Sequence, residues 1–419
     1  MNRIPHILVI ALLGFGCSNE SEVLIPKLGD GGFLAEARPL TPEQKARMDG
    51  IYSVTAGSDR FGTSVVLKWA GDNLSIFTGV DVGHFVLLGG HLDTVLVFQG
   101  YWRKLVNEET GIAQFYVARE EGGRFILGDT TGSPGTAIRM QGGYGDGSAV
   151  PSVPLVLEFQ RTIAPELLAG DFHILAHRAG GRTSDYLPAS ENTVEMIRIA
   201  EAYGATGIEI DVRLTKDGVP VLYHDGSLNP RLTQKTPLVG GVEDYSYIQL
   251  YAAIRLINGE RIPTLQEALD AVLDETNLTF VWLDTKTEGR NIVEVMVPIQ
   301  ADILARAQAM GRTLEVRIGM PTQEVYDEVL RYPGYTNLPT LCELSIEQAR
   351  TVNAGVWAPR WSEGTQNANV AAMHGEGREV FVWTLDVPQY INQFLIEGDF
   401  DGFLTNYPSA VAYYYYSQE

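Results

Sequence analysis

The stretch that decides the fold is GIEIDVRLTKDGVPVLYHD, residues 207–225. Its two apolar runs are separated by Thr215–Gly218, which contains an Asp-Gly pair, a strong signal for a hairpin turn. We therefore predict that Val219–His224 folds back antiparallel onto Ile208–Leu214. This hairpin determines how the strands around it are counted.

Outside the hairpin, apolar strand-like runs alternate with helix-length amphipathic segments from about Phe172 onward. This alternation is typical of a parallel sheet covered by helices. The candidate strands are Ile174–His177, Gly207–Asp211, Val219–His224, Thr279–Asp284, Leu314–Ile318, Thr340–Glu343, Val356–Pro359, Val380–Thr384 and Asp401–Leu404. One of the nine belongs to the hairpin and not to the wall. The eight that remain predict an α/β fold over residues 170–412: a (β/α)8 TIM barrel with a β-hairpin insertion after strand 2.

The preceding residues, about 41–165, show short apolar or alternating runs separated by Gly, Asn and Asp. These runs are Ile51–Val54, Ser64–Trp69, Asn73–Phe77, Phe85–Leu88, Thr94–Phe98, Ala113–Val117, Arg124–Leu127, Ala137–Met140 and Leu155–Phe159. Regular turn spacing with almost no helical periodicity predicts a separate all-β domain, a sandwich or a barrel. The tract Gly142–Val153 is rich in Gly, Ser and Pro, and we interpret it as a loop or linker.

The first 17 residues resemble a bacterial lipoprotein signal peptide. Arg3 precedes the apolar run Ile7–Phe15, which is too short to span a bilayer, and Gly16 stands before Cys17. We predict lipidation at Cys17, with simple secretion as the alternative, and we interpret residues 18–40 as a tether. This predicts an exported protein of the bacterial cell envelope, periplasmic or on the outer surface, that meets the membrane through its lipid anchor only.

The chain has 419 residues, a formal net charge of −21, 45% hydrophobic and 20% charged residues. That length is too great for one ordinary core, and the composition is typical of globular domains. So acidic a surface repels a nucleic-acid backbone, which argues against DNA or RNA as a partner. A small phosphate ester stays compatible, because a bound divalent cation reverses the local charge.

The hairpin also predicts a cluster of polar side chains. If its four-residue turn pairs Leu214 with Val219, then Glu209 lies opposite His224 in the ladder. Glu209 and Asp211 are two residues apart on one strand and share a face. The cluster then lies near the C-terminal end of a barrel strand, where enzymes of this fold hold their chemistry.

Two further strand ends place polar side chains at the same edge of the barrel. His177 and Arg178 close the first strand, and Asp284 and Lys286 close the third. With the two hairpin carboxylates, Asp284 completes an all-oxygen cage that suits Ca²⁺ or Mg²⁺ better than zinc. His177 and the hairpin histidine are candidate acid–base groups, because an imidazole titrates near neutral pH. Arg178 and Lys286 provide positive charge for an anionic substrate.

Together these motifs resemble the glycerophosphodiester phosphodiesterase family, a set of metal-dependent (β/α)8 barrel enzymes. The motifs that carry the resemblance are His177–Arg178, Ser190–Thr193, Glu209–Val212, Tyr223–Asp225, Ile262–Leu265, Trp383–Thr384 and Asp401–Pro408. The resemblance covers residues from about Phe172 to Pro408 and leaves the β domain untouched.

The resemblance implies a role for each residue already named. The implied metal ligands are Glu209, Asp211 and Asp284; the implied catalytic pair is His177 and His224; the implied substrate contacts are Arg178, Lys286 and Trp383. Two positions depart from the family pattern, since Asp284 stands where Glu is usual and Ala179 is inserted before Gly180. These departures imply a cation that sits deeper or binds through water, and an altered first loop.

The implied function is metal-dependent hydrolysis of glycerophosphodiesters to an alcohol and glycerol phosphate. One divalent cation and two basic side chains neutralise the phosphoryl charge, while one histidine takes a proton and the other gives one, in an order that the sequence leaves open. Two alternatives are a phospholipid-cleaving relative that releases a cyclic phosphate, and a non-catalytic surface binding lipoprotein. For the β domain, we expect a glycan or a protein as partner.

Overall fold

The structure of the chain, a computed structural model, describes residues 26, 32, 34–129, 138–169, 172–287 and 289–419. The signal peptide with Cys17 and most of the tether at 18–40 lie outside the described residues and stay predictions. Among the helices of the described residues, none is long and apolar enough to cross a membrane.

In the described part of the N-terminal half, eight antiparallel strands follow one another around a closed barrel. The strands are β1 (Gly50–Ala56), β2 (Ser64–Ala70), β3 (Asn73–Thr78), β4 (Gly83–Leu92), β5 (Val95–Lys104), β6 (Glu109–Val117), β7 (Arg139–Asp146) and β8 (Val153–Arg161). The helices that accompany them are α1 (Pro42–Ala46), α2 (Ser58–Phe61) and α3 (Gly123–Ile126). Large apolar side chains such as Tyr52, Phe98 and Trp102 fill the interior. Of the two expected architectures the barrel is the one observed, because β8 pairs with β1 and closes the sheet.

Residues Arg124–Leu127, expected as a strand, instead form most of helix α3 and the turn after it. Gly122 has a left-handed backbone (φ 110°) directly before the helical turn. Gly123 and Ile126 are buried while Phe125 is exposed. Burial at positions three apart suits a helix, whereas a strand needs alternation.

The glycine-rich tract Gly142–Val153, expected as a loop, is one only at residues 147–152; it begins inside strand β7 and ends at the first residue of β8. Gly142, in the strand part, is required by packing, because a Cβ there would lie 2.0 Å from the carbonyl oxygen of Gln114 on the neighbouring strand. A composition that usually signals a loop here reflects the close approach of two strands.

The last residues of the expected tether contact the β-barrel. Arg38 exchanges two backbone hydrogen bonds with His91 of β4, at 3.0 and 2.9 Å. The structure therefore attaches the residues around Arg38 to the surface of the β domain.

Within the described residues from 172 onward, eight parallel strands close a second barrel. The wall strands are β9 (His173–Ala176), β10 (Gly207–Leu214), β12 (Phe280–Thr285), β13 (Glu315–Met320), β14 (Thr340–Cys342), β15 (Val356–Trp357), β16 (Glu379–Val382) and β17 (Gly402–Thr405), and β11 (Pro220–Leu222) pairs with β10 outside the ring. Helix α4 (Pro165–Ala169) precedes this barrel, and the helices that follow are α5 (Val194–Ile199), α6 (Tyr247–Ala253), α7 (Leu265–Glu275), α8 (Ile292–Ala309), α9 (Gln323–Arg331), α10 (Ile346–Thr351), α11 (Asn367–Gly375), α12 (Pro388–Glu397) and α13 (Pro408–Tyr416). Strand β9 pairs with both β17 and β10, which closes the ring. The (β/α)8 barrel predicted from the sequence is confirmed.

The hairpin is present, but its register differs by one residue from the prediction. Leu214 pairs with the residue after Val219 and not with Val219 itself. Thr215 closes a longer loop, because its N–H donates to the Val219 carbonyl (3.0 Å) and its Oγ1 accepts from the Val219 N–H (2.9 Å). A shift of one residue reverses which side chains oppose each other, so Glu209 and His224 are not a cross-strand pair. His224 lies beyond the end of β11 and approaches the barrel from the following loop.

Apolar layers position the polar cluster at one end of the second barrel. The barrel interior contains Leu175, Phe280, Trp282, Leu341, Val356, Ala358, Phe381 and Leu404. Ile208 and Ile210 of β10 belong instead to the larger apolar layer between strands and helices. Because side chains alternate along a strand, Glu209 and Asp211 point into the barrel. The filled interior leaves the C-terminal end of the strands for polar groups.

Helix α13 contacts both barrels through the tyrosine run Tyr413–Tyr416. Tyr415 stacks on Phe172, with ring centroids 4.5 Å apart. Lys68 of β2 places its Nζ 5.4 Å from the ring centroid of Tyr416. The terminal tyrosines therefore form part of the contact between the two barrels.

Candidate active site

Three carboxylates meet at the C-terminal ends of β10 and β12. Carboxylate oxygens of Glu209, Asp211 and Asp284 lie within 4.8 Å of one another. Asp211 and Asp284 are register partners on these adjacent strands. The Arg178 N–H donates to Glu209 Oε2 (2.8 Å), and Asn192 Nδ2 donates to Asp211 Oδ2 (2.6 Å). The structure thus brings together the three carboxylates that the sequence singled out.

This carboxylate cluster fits a hard divalent cation. Glu209 Oε1 and Asp284 Oδ1 are buried and accept no hydrogen bond from the described residues, and Asp211 Oδ1 is buried beside the Lys286 ammonium. Buried carboxylate oxygens without donors are unfavourable unless a cation compensates them. Oxygen-only donors select Ca²⁺ or Mg²⁺ over softer metals. Lys286 provides part of the compensation, with Nζ 3.1 Å from Asp211 Oδ1 and in contact with Asp284 Oδ2.

The cluster concentrates negative charge that its own residues do not fully neutralise. Burial, with repulsion from Asp211 and Asp284, raises the pKa of Glu209 well above its usual value. Burial likewise raises the pKa of Asp284. Burial alone would also raise the pKa of Asp211, but Lys286 and the nearby histidines hold it below its usual value. The site therefore attracts protons or a cation.

His177 follows β9 with one ring nitrogen fixed and the other facing the carboxylates. Its Nδ1 donates to Asn406 Oδ1 (2.8 Å), because Asn406 uses Nδ2 to donate to Asp386 Oδ2 (2.6 Å). In the neutral ring Nε2 therefore carries the lone pair, and it lies 3.7 Å from Glu209 Oε2. Burial, together with Arg178, lowers the pKa of His177 to about 4. The ring is thus neutral at pH 7, and its Nε2 lone pair faces the carboxylates.

His224 approaches from the opposite side, in the loop after β11. Its Nδ1 donates to Asp225 Oδ1 at 2.7 Å, and its Nε2 accepts from Arg178 Nη2 at 2.9 Å. Burial alone would raise the pKa of Asp225, but Arg231, His224 and Asn229 hold it below its usual range. An ionised Asp225 orients the His224 ring so that Nε2 points to Arg178.

Arg178 connects the histidines to a second row of charged residues to which the sequence interpretation gave no role. Its Nη1 donates to Glu191 Oε1 at 2.9 Å, and its Nε lies 4.0 Å from Asp211 Oδ2. Glu191 is 3% exposed and also accepts from Arg231 Nη1 at 3.0 Å. Glu191 belongs to the motif Ser190–Thr193. The sequence therefore marked Glu191 as part of a motif, but it did not reveal which residues Glu191 pairs with.

The inserted Ala179 continues a left-handed bend directly after His177. Arg178 and Ala179 have φ angles of 54° and 71°. Such a conformation costs a non-glycine residue about 1–2 kcal/mol. The hydrogen bond from the Arg178 N–H to Glu209 offsets part of this, and the Arg178 side chain reaches His224 Nε2.

Trp383 and Glu343 lie on the other side of the barrel mouth. Trp383 follows β16, is half-buried, and donates from Nε1 to the Ala358 carbonyl (2.9 Å), while Arg360 lies 4.7 Å from its ring centroid. Glu343 follows β14, and burial with repulsion from Asp284 raises its pKa well above the usual value. The sequence interpretation missed Glu343, although a carboxylate directly after a barrel strand is a typical position for a functional residue.

The tyrosines of helix α6, between the hairpin and α7, line a groove that is separate from the carboxylate cluster. Tyr247 and Tyr251 line an open groove of about 670 Å³ on the outside of the barrel, next to α5 and α7. Arg261 covers the Tyr251 ring at 3.7 Å from its centroid. None of the three cluster carboxylates lines this groove among its described residues.

Comparison with known proteins agrees with this geometry. The family model "Glycerophosphoryl diester phosphodiesterase family" matches residues 177–410. Human glycerophosphodiester phosphodiesterase 1 is 38% identical over 130 residues, which are 29% of this chain and 36% of that protein. A probable glycerophosphodiester phosphodiesterase 2 of Mycobacterium tuberculosis is 28% identical over 247 residues, which are 55% of this chain and 86% of that protein. This chain thus spans about a third of the length of the human relative and most of the mycobacterial one.

A crystal structure of a glycerophosphodiester phosphodiesterase from Parabacteroides distasonis is also similar to this chain. The match has 21% sequence identity and a TM-score of 0.46, and it covers 58% of this chain and 95% of that one. The family model begins at residue 177 and leaves the β-barrel outside it.

Proposed function

Because the chain belongs to the glycerophosphoryl diester phosphodiesterase family, we propose that it is a phosphoric diester hydrolase that cleaves glycerophosphodiesters to an alcohol and glycerol phosphate. The observation that carries the proposal is the convergence of three carboxylates with two oriented imidazoles at one end of the barrel. A protein that only binds a ligand has no need of two proton-transfer groups beside a cation site. This geometry disfavours the non-catalytic alternative.

The residues that would hold a divalent cation, Ca²⁺ or Mg²⁺, are Glu209, Asp211 and Asp284. The assignment is supported by Glu209 Oε1 and Asp284 Oδ1, which are buried and have no hydrogen-bond donor in the described residues. When bound, such a cation supplies positive charge to the phosphoryl oxygens. Asp284 is one methylene shorter than the glutamate usual in the family, yet its carboxylate stays within 4.8 Å of the other two.

In the proposed reaction His177 takes a proton and His224 gives one. The neutral ring of His177, with Nε2 towards the carboxylates, suits the group that deprotonates the nucleophile, which is water or a neighbouring substrate hydroxyl. His224, backed by the ionised Asp225, suits the group that protonates the departing alcohol. Both rings donate from Nδ1 and present Nε2, so this order is our assignment: ionised Asp225 can pair with a protonated His224 ring once Arg178 turns from Nε2 to the phosphate.

Arg178 and Lys286 are proposed to hold the phosphoryl oxygens. Arg178 Nη2 lies 2.9 Å from His224 Nε2, and Lys286 Nζ lies 3.1 Å from Asp211 Oδ1, so both cations border the carboxylate cluster. Both would stabilise the extra negative charge of the transition state. We assign Trp383, on the wall of the mouth, to contact with the alcohol.

The proposal is tested by hydrolysis of glycerophosphocholine, measured as the release of glycerol phosphate and choline. Wild-type protein is assayed with Ca²⁺, Mg²⁺ or EDTA, in parallel with His177→Ala. We expect activity to require one of the cations and to fall by about 100-fold or more in the variant. Activity that persists in EDTA and in His177→Ala would rule out this mechanism.

The phospholipid-cleaving alternative is retained because the segment after the hairpin exposes apolar side chains. Val239 is 82% exposed and Ile248 is 68% exposed. Product analysis separates the two reactions, because the alternative releases a cyclic phosphate as its final product, whereas glycerophosphodiester hydrolysis ends at an open glycerol phosphate. A cyclic product from a lysophospholipid, with no turnover of glycerophosphocholine, would favour the alternative.

We also propose that the protein is exported and attached to the membrane by lipidation of Cys17. The support is the short apolar run followed by Gly16 and Cys17. Cell fractionation tests it, because Cys17→Ser should move the protein from the membrane to the soluble fraction. Unchanged membrane retention of Cys17→Ser would contradict lipidation.

A further inference from the structure

The β-barrel presents a buried cation to the catalytic barrel. Arg103 of β5 and His84 of β4 are cross-strand partners, and they are 1% and 2% exposed. Their chain neighbours Trp102 and Phe85 point into the β-barrel, so Arg103 and His84 point out of it. Tyr203 of the catalytic barrel covers His84, with ring centroids 5.1 Å apart. Arg103 is therefore enclosed where the two barrels meet.

From this position Arg103 reaches the first loop of the catalytic barrel. Its Nη2 donates to the carbonyl oxygen of Asp185 at 2.5 Å. Its Nε and Nη1 are buried and have no hydrogen-bond partner among the described residues. An enclosed cation with so few partners is a poor source of stability. Its directed contact with a loop of the other barrel is better explained if Arg103 holds that loop in position.

The loop that Arg103 holds, residues 180–186, is tied to the phosphate-binding side of the site. The Thr183 N–H donates to Glu191 Oε2 at 2.8 Å. The other oxygen of Glu191 accepts from Arg178 Nη1 at 2.9 Å. A movement of this loop would therefore be passed to the guanidinium that lies beside His224.

The same loop is tied to the other histidine. The Asp185 carboxylate pairs with Arg182 at 3.1 and 3.0 Å, and Arg182 Nη2 donates to the Tyr407 hydroxyl at 2.5 Å. Tyr407 directly follows Asn406, which accepts from His177 Nδ1. Both proton-transfer groups are thus connected, through few contacts, to the carbonyl that Arg103 binds.

We propose that Arg103 is a positioning residue for phosphodiester cleavage, and that the β-barrel holds residues 180–186 through it as part of one catalytic unit. This inference rests on the proposed phosphodiesterase function. It assigns a role to a domain that the family model does not cover. Without the contact the loop loses its support, and Arg178 and His177 lose their alignment with each other.

Arg103→Met separates positioning from stability. An apolar side chain of similar length fills the space, and replacing a buried charge in this way is often neutral or stabilising. We expect an unchanged or higher Tm together with a fall of roughly 10–100-fold in kcat for glycerophosphocholine. Arg103→Lys should recover most of the activity, because the contact is one hydrogen bond to a carbonyl and not a bidentate pair.

Lys104→Met is the matched control. Lys104 is the next residue of β5, is 4% exposed, and pairs with Asp81 at 3.1 Å. In the described residues it makes no hydrogen bond or ion pair with residues 180–186. We expect wild-type kcat from this variant. Wild-type kcat in Arg103→Met, or an equal loss in Lys104→Met, would overturn the proposal.

Amide hydrogen exchange gives a readout that does not depend on the reaction. Exchange in residues 180–192 should rise in Arg103→Met and stay at the wild-type level in Lys104→Met and Arg103→Lys. Unchanged exchange in Arg103→Met would show that the loop does not need Arg103. If wild-type protein does not cleave glycerophosphocholine, the proposed function fails, while the exchange rates still decide whether Arg103 holds the loop.

Discussion

Asn406 Oδ1 lies 2.8 Å from His177 Nδ1, and this contact fixes which nitrogen of the histidine faces the carboxylates. Asp386 accepts from both the Asn406 side chain (2.6 Å) and the Asn406 backbone (2.8 Å), so the amide oxygen must point to the ring. His177 consequently keeps its proton on Nδ1 and presents the Nε2 lone pair. The proton acceptor is therefore set by residues from the other end of the barrel sequence.

The first prediction follows from this orientation. Asp386→Asn allows the Asn406 amide to turn over, because an amide at position 386 can donate to Asn406 Oδ1. The turned amide donates to His177 Nδ1 and moves the ring proton to Nε2. We expect kcat to fall roughly 10–100-fold with little change in KM, as for other residues that orient a catalytic group.

Asp401→Asn provides the control for this experiment. Asp401 also contacts a histidine, His374 Nε2, at 2.8 Å, but it precedes β17 and so lies at the opposite end of the barrel from the site. Steady-state kinetics on glycerophosphocholine should give wild-type kcat for Asp401→Asn. Similar losses in both variants would indicate general destabilisation and contradict the orientation argument.

The second prediction concerns the stability of the carboxylate cluster. Burial and repulsion raise the pKa of Glu209, so this group destabilises the folded state increasingly as pH rises above the usual pKa of a glutamate. Glu209→Gln removes that penalty and keeps an acceptor for the Arg178 N–H. Without divalent cations, we expect its Tm to exceed the wild-type value by a few degrees at pH 8 and to equal it near pH 4.5. Added Ca²⁺ should raise the Tm of the wild type but hardly that of the variant.

The third prediction is that cation binding releases protons. Glu209 and Asp284 hold their protons more tightly than ordinary carboxyl groups, and a cation must displace them. The Kd for Ca²⁺ or Mg²⁺ should therefore increase as the pH is lowered. Calorimetry in buffers of different ionisation enthalpy measures the released protons directly. An equal heat of binding in all buffers would show that the carboxylates are already ionised.

The fourth prediction distinguishes the two histidines by the leaving group. A nitrophenolate leaves without a proton, whereas choline does not. His224→Ala should therefore lose about 100-fold or more in kcat on glycerophosphocholine and much less on a nitrophenyl phosphodiester. His177→Ala should lose activity on both substrates, because both need a deprotonated nucleophile. The reverse pattern would exchange the two roles.

The sequence was sufficient for the second barrel because its signals are local. Each wall strand is an apolar run between amphipathic segments, and the Asp217–Gly218 turn identified the hairpin strand. Strand ends carry functional residues in this fold, which led to His177, Glu209 and Asp284. These residues meet because parallel strands end at one edge of the barrel.

Features that depend on packing were beyond the sequence. The register of the hairpin was missed because the Thr215 hydroxyl lengthens the loop, a contact that composition does not reveal. The glycines inside β7, such as Gly142, were interpreted as part of a loop because their role is visible only against the neighbouring strand. Asn406 orients His177 across 229 positions of the chain, and no periodicity reports such a pair.

The last prediction concerns the β-barrel and its pH dependence. Asp49 Oδ1 accepts from the Trp69 N–H at 2.9 Å, and burial raises the pKa of Asp49 from 3.8 to about 6. Below pH 3.8 the group is protonated in both states and has no effect. Between pH 3.8 and 6 the unfolded chain loses the proton first, so stability falls as pH rises, by at most about 3 kcal/mol in total.

Asp49→Asn should therefore raise the Tm at pH 7 and leave it unchanged at pH 4. The control is Asp72→Asn, which removes a 90% exposed carboxylate paired with Lys45 and should not stabilise at either pH. An equal Tm gain for Asp49→Asn at both pH values would show that the carboxyl group is not desolvated in the folded protein.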